Sequence, residues 1–107
     1  MKINYKNTKL EKLCVDEKKL VQAFGQQVAD KIIECLQALD ASTSLDTVPQ
    51  RLRPHPREPK NEKVFQIDVL KHKHSTRLFF TPFGTYDILD YKTILGIEII
   101  HIGKTHS

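Results

Sequence analysis

The sequence predicts an α+β fold, in which an N-terminal strand and an αα-hairpin pack on one face of a mostly antiparallel β-sheet. Two observations support this prediction. Apolar residues between positions 8 and 40 recur at helical spacing, whereas those between 65 and 102 largely alternate with a period of two. Because each apolar helical stripe needs a partner layer, the helices are expected to cover one face of the sheet.

The two predicted helices share a single glycine as their connection. Thr8 and Glu11 have the spacing of a capping box at the start of the first helix, which is expected to stop at Gly25. The second helix is expected from about Gln27 to Asp40, with an apolar stripe along one side. Two helices joined in this way form an αα-hairpin.

Strands are predicted on both sides of the helices. Residues 2–5 alternate as a short first strand, and later strands are expected at 65–69, 76–81 and 97–102, with a bend at Gly84. The segment between Ala41 and Pro59 is polar and holds four of the five prolines. It is expected to be a loop with at most one short edge strand around Leu52.

Length and composition indicate one globular domain spanning residues 1–107, with 39% hydrophobic and 28% charged residues. No apolar run is long enough to span a bilayer, and the N-terminal MKINYKNTKL lacks the apolar region of a signal peptide. We therefore expect a cytoplasmic protein without a membrane partner. Cys14 and Cys35 lie on apolar helical stripes, which favours reduced core thiols over a disulfide or a nucleophile.

Positive charge is concentrated in one segment. Residues 51–77 hold eight Lys and Arg against three Asp and Glu, whereas the flanking segments are close to balance. Three of the five histidines also fall there. A local excess of this kind predicts contact with a polyanion. The basic residues are Arg51, Arg53, Arg57, Lys60, Lys63, Lys71, Lys73 and Arg77.

Arg77 opens the predicted strand 76–81, in which Leu78 and Phe80 point to the opposite face. If the helices cover Leu78 and Phe80, Arg77 lies on the bare face of the sheet. Its guanidinium could bind a multi-oxygen anion there, because its donors form a rigid fork. It could equally be a solvated strand end, and the charge pattern leaves both interpretations open.

Metal and nucleotide chemistry receive little support from the sequence. His72 and His74 could be zinc ligands, but no further ligands stand at metal spacing, so solvated histidines beside a turn are favoured. No glycine-rich phosphate loop is present. Acid–base groups and cations without a metal set favour cleavage of RNA, in which the substrate's own 2′-hydroxyl attacks the phosphate. We expect no metal and no small-molecule cofactor.

The order of strand, capped helical hairpin, basic loop and antiparallel strands resembles the RelE/ParE toxin superfamily. More narrowly, the chain is similar to its HigB-like "killer protein" branch over essentially its whole length. The similar segments are KLEKLC at 9–14, FGQQVADKI at 24–32, FQIDVLKH at 65–72, RLFF at 77–80, and IEIIHI at 97–102, which ends a few residues before a histidine.

The resemblance implies the toxin of a type II toxin–antitoxin system, a ribosome-dependent mRNA endoribonuclease that inhibits translation. Its implied partners are a HigA-like antitoxin, the ribosome and mRNA. By position, Arg77 would stabilise the scissile phosphate, His106 would transfer a proton, and His55 and Lys71 would complete the catalytic set. The expected RNA-binding residues are Arg51, Arg53, Arg57, Lys60, Lys63, His72 and Lys73.

The chain also departs from the family pattern. Lys104 and Thr105 stand where relatives have Asp-Tyr, and Glu58 and Pro59 replace a lysine and a glycine of the basic loop. Two other functions stay open, a ParE-like inhibitor that binds DNA gyrase without catalysis and a plain nucleic-acid-binding module. The histidines favour the nuclease, because a binding protein does not need groups that titrate near neutral pH.

Overall fold

A five-stranded mixed sheet forms the centre of the protein. The computed structural model describes residues 1–52, 54–57, 61–70 and 76–104, with only the backbone of 61 and 62. The strand order is β1-β5-β4-β3-β2. The strands are β1 (Lys2–Tyr5), β2 (His55–Arg57), β3 (Asn61–Asp68), β4 (Arg77–Pro82) and β5 (Gly96–Gly103). β1 pairs with β5 in parallel, and the other three pairings are antiparallel.

The helices pack on one face of this sheet, so the predicted α+β class is confirmed. Within the described residues they are α1 (Thr8–Cys14), α2 (Glu17–Phe24) and α3 (Gln26–Ala41). Apolar side chains from α2 and α3 meet a sheet face that includes Phe65, Ile67, Leu78 and Phe80, all fully buried. Phe65 and Phe80 stack with ring centroids 5.6 Å apart. We call this side of the sheet the core face.

The prediction of one first helix up to Gly25 is wrong, because the chain breaks into α1 and α2 at Asp16. The Asp16 side chain accepts hydrogen bonds from the backbone N–H groups of Lys18 and Lys19, and its extended backbone conformation starts a new helix. The predicted capping box starting at Thr8 is also wrong, because the helix is capped one residue earlier by a single side chain. Asn7 is the N-cap of α1, and its side chain accepts from Leu10 N–H at 2.8 Å.

The junction between α2 and α3 confirms the expected connection at one glycine. Gly25 has φ of 86°, a conformation that suits glycine because it lacks Cβ, and its N–H donates to the Val21 carbonyl. α3 runs within one residue of its predicted bounds and buries Ile32, Cys35 and Leu39. Burial raises the pKa of Cys14 and of Cys35 to about 11, so both thiols stay protonated near neutral pH.

The predicted edge strand around Leu52 is wrong in position. Leu52 ends a 3-10 turn (Gln50–Leu52) and is buried in the core, while the edge strand β2 begins three residues later at His55. Pro56 is tolerated within β2 because an edge strand pairs on one side only. Among the helices described, none is long and apolar enough to cross a bilayer.

Candidate functional site

A row of four side chains crosses the face of the sheet opposite the helices. In the strand register, His55 on β2 pairs with Gln66 on β3, Gln66 pairs with Phe79 on β4, and Phe79 pairs with His101 on β5. Paired residues point to the same side of a sheet, and the neighbours of Phe79 in β4 belong to the core face. The row therefore lies on the second side of the sheet, which we call the polar face.

A β-bulge in β5 brings His101 into this row. Phe80 pairs with Ile99, whereas the preceding residue Phe79 pairs with His101, so Ile100 is an extra residue without a partner of its own. In an unbroken strand, His101 would share the face of Ile99 and point into the core. The bulge instead sends His101 to the polar face and returns Ile102 to the core face, where it pairs with Leu78.

Phe79 is the centre of the polar face. It is only 1% exposed although it lies on the side away from the helices. The His101 ring lies against it with centroids 5.6 Å apart and tilted by 32°, and the guanidinium carbon of Arg57 lies 5.6 Å from its ring centroid. A cation–π contact is worth about 0.5–1 kcal/mol at an exposed site and about 2 kcal/mol or more when desolvated, and this one joins a buried ring to a partly buried arginine.

Arg57 has an unusual hydrogen-bonding state. Its Nε is buried and, within the described residues, has no hydrogen-bond acceptor. A buried donor left unsatisfied typically costs about 1–3 kcal/mol, and such groups mark sites of strain or of ligand contact.

Gly103 lies next to the His101 imidazole on the polar face. It follows two residues after His101 in β5, with φ of 153°. A Cβ built at Gly103 would lie 3.2 Å from His101 Nε2, closer than ordinary packing allows. The absence of a side chain at this position thus leaves room for the imidazole.

Arg77 also lies on the polar face, two residues before Phe79 in β4. It pairs with Asp68 in the register, and its Nε donates to Asp68 Oδ1 at 2.9 Å. About a third of each side chain is exposed, at 31% for Arg77 and 39% for Asp68. An ion pair this exposed contributes about 0.2–1 kcal/mol. The bare-face position predicted for Arg77 is therefore found, and it is accompanied by a carboxylate that the sequence interpretation did not consider.

Glu98 adds a second carboxylate to this face. It pairs with Thr81 on β4, precedes the bulge in β5, and is partly buried. Within the described parts of the chain, no group of three or more His, Cys, Asp or Glu side chains is arranged to hold a metal ion.

The structure separates the predicted RNA-binding residues. Arg57 lies on the polar face with His55 and Arg77. Arg51 lies on the helical side, where its Nε is 3.4 Å from Glu34 Oε1 of α3. Lys63 is exposed on β3, where the pairing with β2 is irregular.

The remaining predicted residues lie outside the described parts of the chain. These are Arg53, Lys60, Lys71, His72, Lys73 and His106.

Sequence reasoning missed three members of the polar face, which are Gln66, Phe79 and His101. Along their own strands, Gln66 and Phe79 alternate with core residues, which the sequence shows. The register that aligns them with two histidines depends on how strands far apart in sequence pair. His101 stood inside an apolar run, and the single polar residue in Ile-Ile-His-Ile was the signal that could have indicated a bulge.

Comparison of the chain with models of protein families, with curated proteins and with solved structures gives no match. What the polar face can do chemically is therefore considered from its own residues. It combines two imidazoles, two guanidiniums and a buried aromatic ring beside the basic segment of the chain. Imidazoles can donate or accept protons near neutral pH, and guanidiniums can bind phosphate oxygens.

Proposed function

We propose that this protein is an endoribonuclease that cleaves mRNA on the ribosome, acting as the toxin of a toxin–antitoxin pair with a HigA-like antitoxin. The observation that carries the nuclease proposal is the row from His55 to His101 on the polar face, flanked by Arg57 and Arg77. The ribosome and the antitoxin are partners implied by the resemblance to RelE/ParE toxins.

The proposed reaction is attack of a ribose 2′-hydroxyl on the adjacent phosphorus. A base takes the 2′-hydroxyl proton while the 2′-oxygen bonds to phosphorus, and the bond from phosphorus to the 5′-oxygen breaks. An acid then protonates the departing 5′-oxygen, leaving a 2′,3′-cyclic phosphate and a 5′-hydroxyl. The reaction thus needs one proton acceptor, one proton donor and a cation near the phosphate oxygens.

The two histidines of the row can supply the proton transfers. His55 and His101 lie three strand spacings apart, roughly 14 Å between backbones. Imidazoles that reach inward from these two positions can serve opposite sides of a phosphate lying above Gln66 and Phe79. The resemblance assigns proton transfer to His106, and His101 is a second candidate that its place in the fold provides.

Arg77 is proposed to stabilise the negative charge that develops on the phosphate oxygens. A fixed cation lowers the barrier when it binds the transition state more strongly than the ground state. Loss of one preorganised donor of this type typically lowers the rate on the order of 100- to 1000-fold.

Induced expression in bacteria followed by mapping of mRNA 5′ ends tests the proposal. Cuts that follow the reading frame are expected for the wild type, strongly reduced cuts for Arg77→Ala, and partial recovery for Arg77→Lys, because lysine keeps the positive charge but lacks the planar guanidinium that Asp68 holds in place. Lys12→Ala is the control, since Lys12 is an exposed cation of α1 and is not among the predicted RNA-binding residues. Intact mRNA accompanied by DNA damage would instead indicate a gyrase inhibitor.

A further inference from the structure

The two arginines of the polar face present different edges of their guanidinium groups. A guanidinium has a side-on edge, formed by Nε–H and one terminal N–H, that matches two oxygens of a phosphate or carboxylate. In Arg77, Nε is already bonded to Asp68 Oδ1 at 2.9 Å. In Arg57, Nε has no acceptor within the described residues. Of these two arginines, Arg57 is therefore the one whose side-on edge has no protein acceptor at Nε within the described residues.

The surroundings of Arg57 favour a move of its side chain toward an anion. Its Nε is covered by protein, so the guanidinium has to turn outward before the side-on edge can face a ligand. That turn gives up the cation–π contact with Phe79 at 5.6 Å, but it relieves a buried unsatisfied donor and gains a charge-assisted hydrogen bond to the anion. A phosphate offers Nε the acceptor that it lacks in the free protein.

We propose that Arg57, rather than Arg77, makes the bidentate side-on contact with an RNA phosphodiester at this site. The identity of the ligand as RNA rests on the function proposed above, whereas the phosphate-binding role rests on the geometry of Arg57. Arg77, held by Asp68, acts as the second cation of the site. Arg57 forms the edge of the site on β2, next to His55, and its outward turn opens the space above Phe79.

Nuclear magnetic resonance of the arginine Nε–H groups tests this inference directly. The probe is a 2′-O-methyl RNA hexanucleotide, which the proposed reaction cannot cleave because its 2′-oxygen is blocked. Arg57→Lys and Arg77→Lys assign the two resonances, since lysine has no Nε–H. We expect the Arg57 resonance to move on titration, with little change for Arg77, whose Nε keeps its bond to Asp68.

Binding of the same probe gives a second measurement. Arg57→Ala is expected to weaken it roughly 10- to 100-fold, as befits loss of a charge-assisted bidentate contact, with partial rescue by Arg57→Lys. Lys12→Ala is the control, since Lys12 is an exposed cation of α1 and is not among the predicted RNA-binding residues. A resonance of Arg57 that stays in place, whether or not Arg77 moves, would overturn the inference.

The two proposals can fail separately. If the wild type cleaves no RNA but the Arg57 resonance moves with the probe, the phosphate site stands and the nuclease proposal fails. If cleavage is normal in Arg57→Ala and the Arg57 resonance is unmoved, the nuclease proposal stands and the role given to Arg57 is wrong.

Discussion

The two faces of the sheet are built from the same strands but place equally buried aromatic rings in opposite surroundings. Phe80 on the core face is 0% exposed and stacks on Phe65, whereas Phe79 on the polar face is 1% exposed and contacts Arg57 and His101. Burial therefore does not distinguish the two faces of the sheet. The chemistry of the neighbours does, because apolar neighbours can only pack, while a guanidinium can bind an anion and an imidazole can transfer a proton.

Replacing each ring by alanine is expected to give the largest difference between the two faces. Phe80→Ala should lower the free energy of unfolding by about 3–5 kcal/mol, because it leaves a cavity among fully buried apolar side chains. Phe79→Ala should cost less, about 2 kcal/mol, since the long side chain of Arg57 can settle into the space. Urea denaturation measures both values.

The order of the Phe79→Ala and Phe80→Ala variants should reverse when RNA cleavage is measured, with Phe79→Ala the more impaired. Phe79→Ala removes the ring against which Arg57 and His101 are placed, so cleavage should fall well below what its loss of stability explains. Equal destabilisation by both variants, together with normal cleavage by Phe79→Ala, would show that Phe79 is simply part of the packed interior.

The core face was largely predictable from sequence because its signal is local. Alternation at 65–69 and 76–81 placed Phe65, Ile67, Leu78 and Phe80 on one face, and the structure buries all of them. The break at Asp16 was missed because the apolar stripe continues across it. The helix boundary there depends on one side chain capping two N–H groups, which outweighs periodicity.

The polar face was predictable only in part because it is assembled by register. Sequence alternation placed Arg77 on the correct side of β4, but its pairing with Asp68 requires knowledge of how β3 and β4 align. His101 required a bulge that shifts β5 by one residue, and strict alternation would have buried it. Residues far apart in sequence meet here through pairings that no local pattern specifies.

The core face should also respond to alkaline pH through its thiols. Burial raises the pKa of Cys35 from 9.0 to about 11, with the nearby Glu34 charge as a smaller cause. Above pH 9 the unfolded chain loses this proton while the folded protein keeps it, so stability is fully present below pH 9 and falls as pH rises toward 11. At pH 10 the loss due to Cys35 alone is about 1.4 kcal/mol.

Urea denaturation of the wild type and of Cys35→Ala at pH 7 and pH 10 measures this contribution. The alanine variant is expected to be less stable at pH 7, because it loses buried volume, but to lose less stability than the wild type between the two pH values. Both proteins share every other titrating group, so the difference between the two changes isolates the thiol. An identical pH response in the two proteins would contradict the alkaline contribution of Cys35.

The smallest expected effect compares one arginine from each side of the sheet. Affinity for single-stranded RNA falls with salt because each neutralised phosphate releases counterions, with a slope of about 0.7 per contact on logarithmic axes. Arg57→Ala should reduce the slope by about this amount, since Arg57 lies on the polar face. Arg51→Ala should leave the slope unchanged, because the Arg51 guanidinium lies beside Glu34 on α3. The slopes can be measured with the 2′-O-methyl hexanucleotide between 50 and about 300 mM salt, a range in which screening changes strongly. Equal reductions by the two variants would mean that RNA also contacts the helical side, and that the basic segment, rather than the polar face, determines where RNA binds.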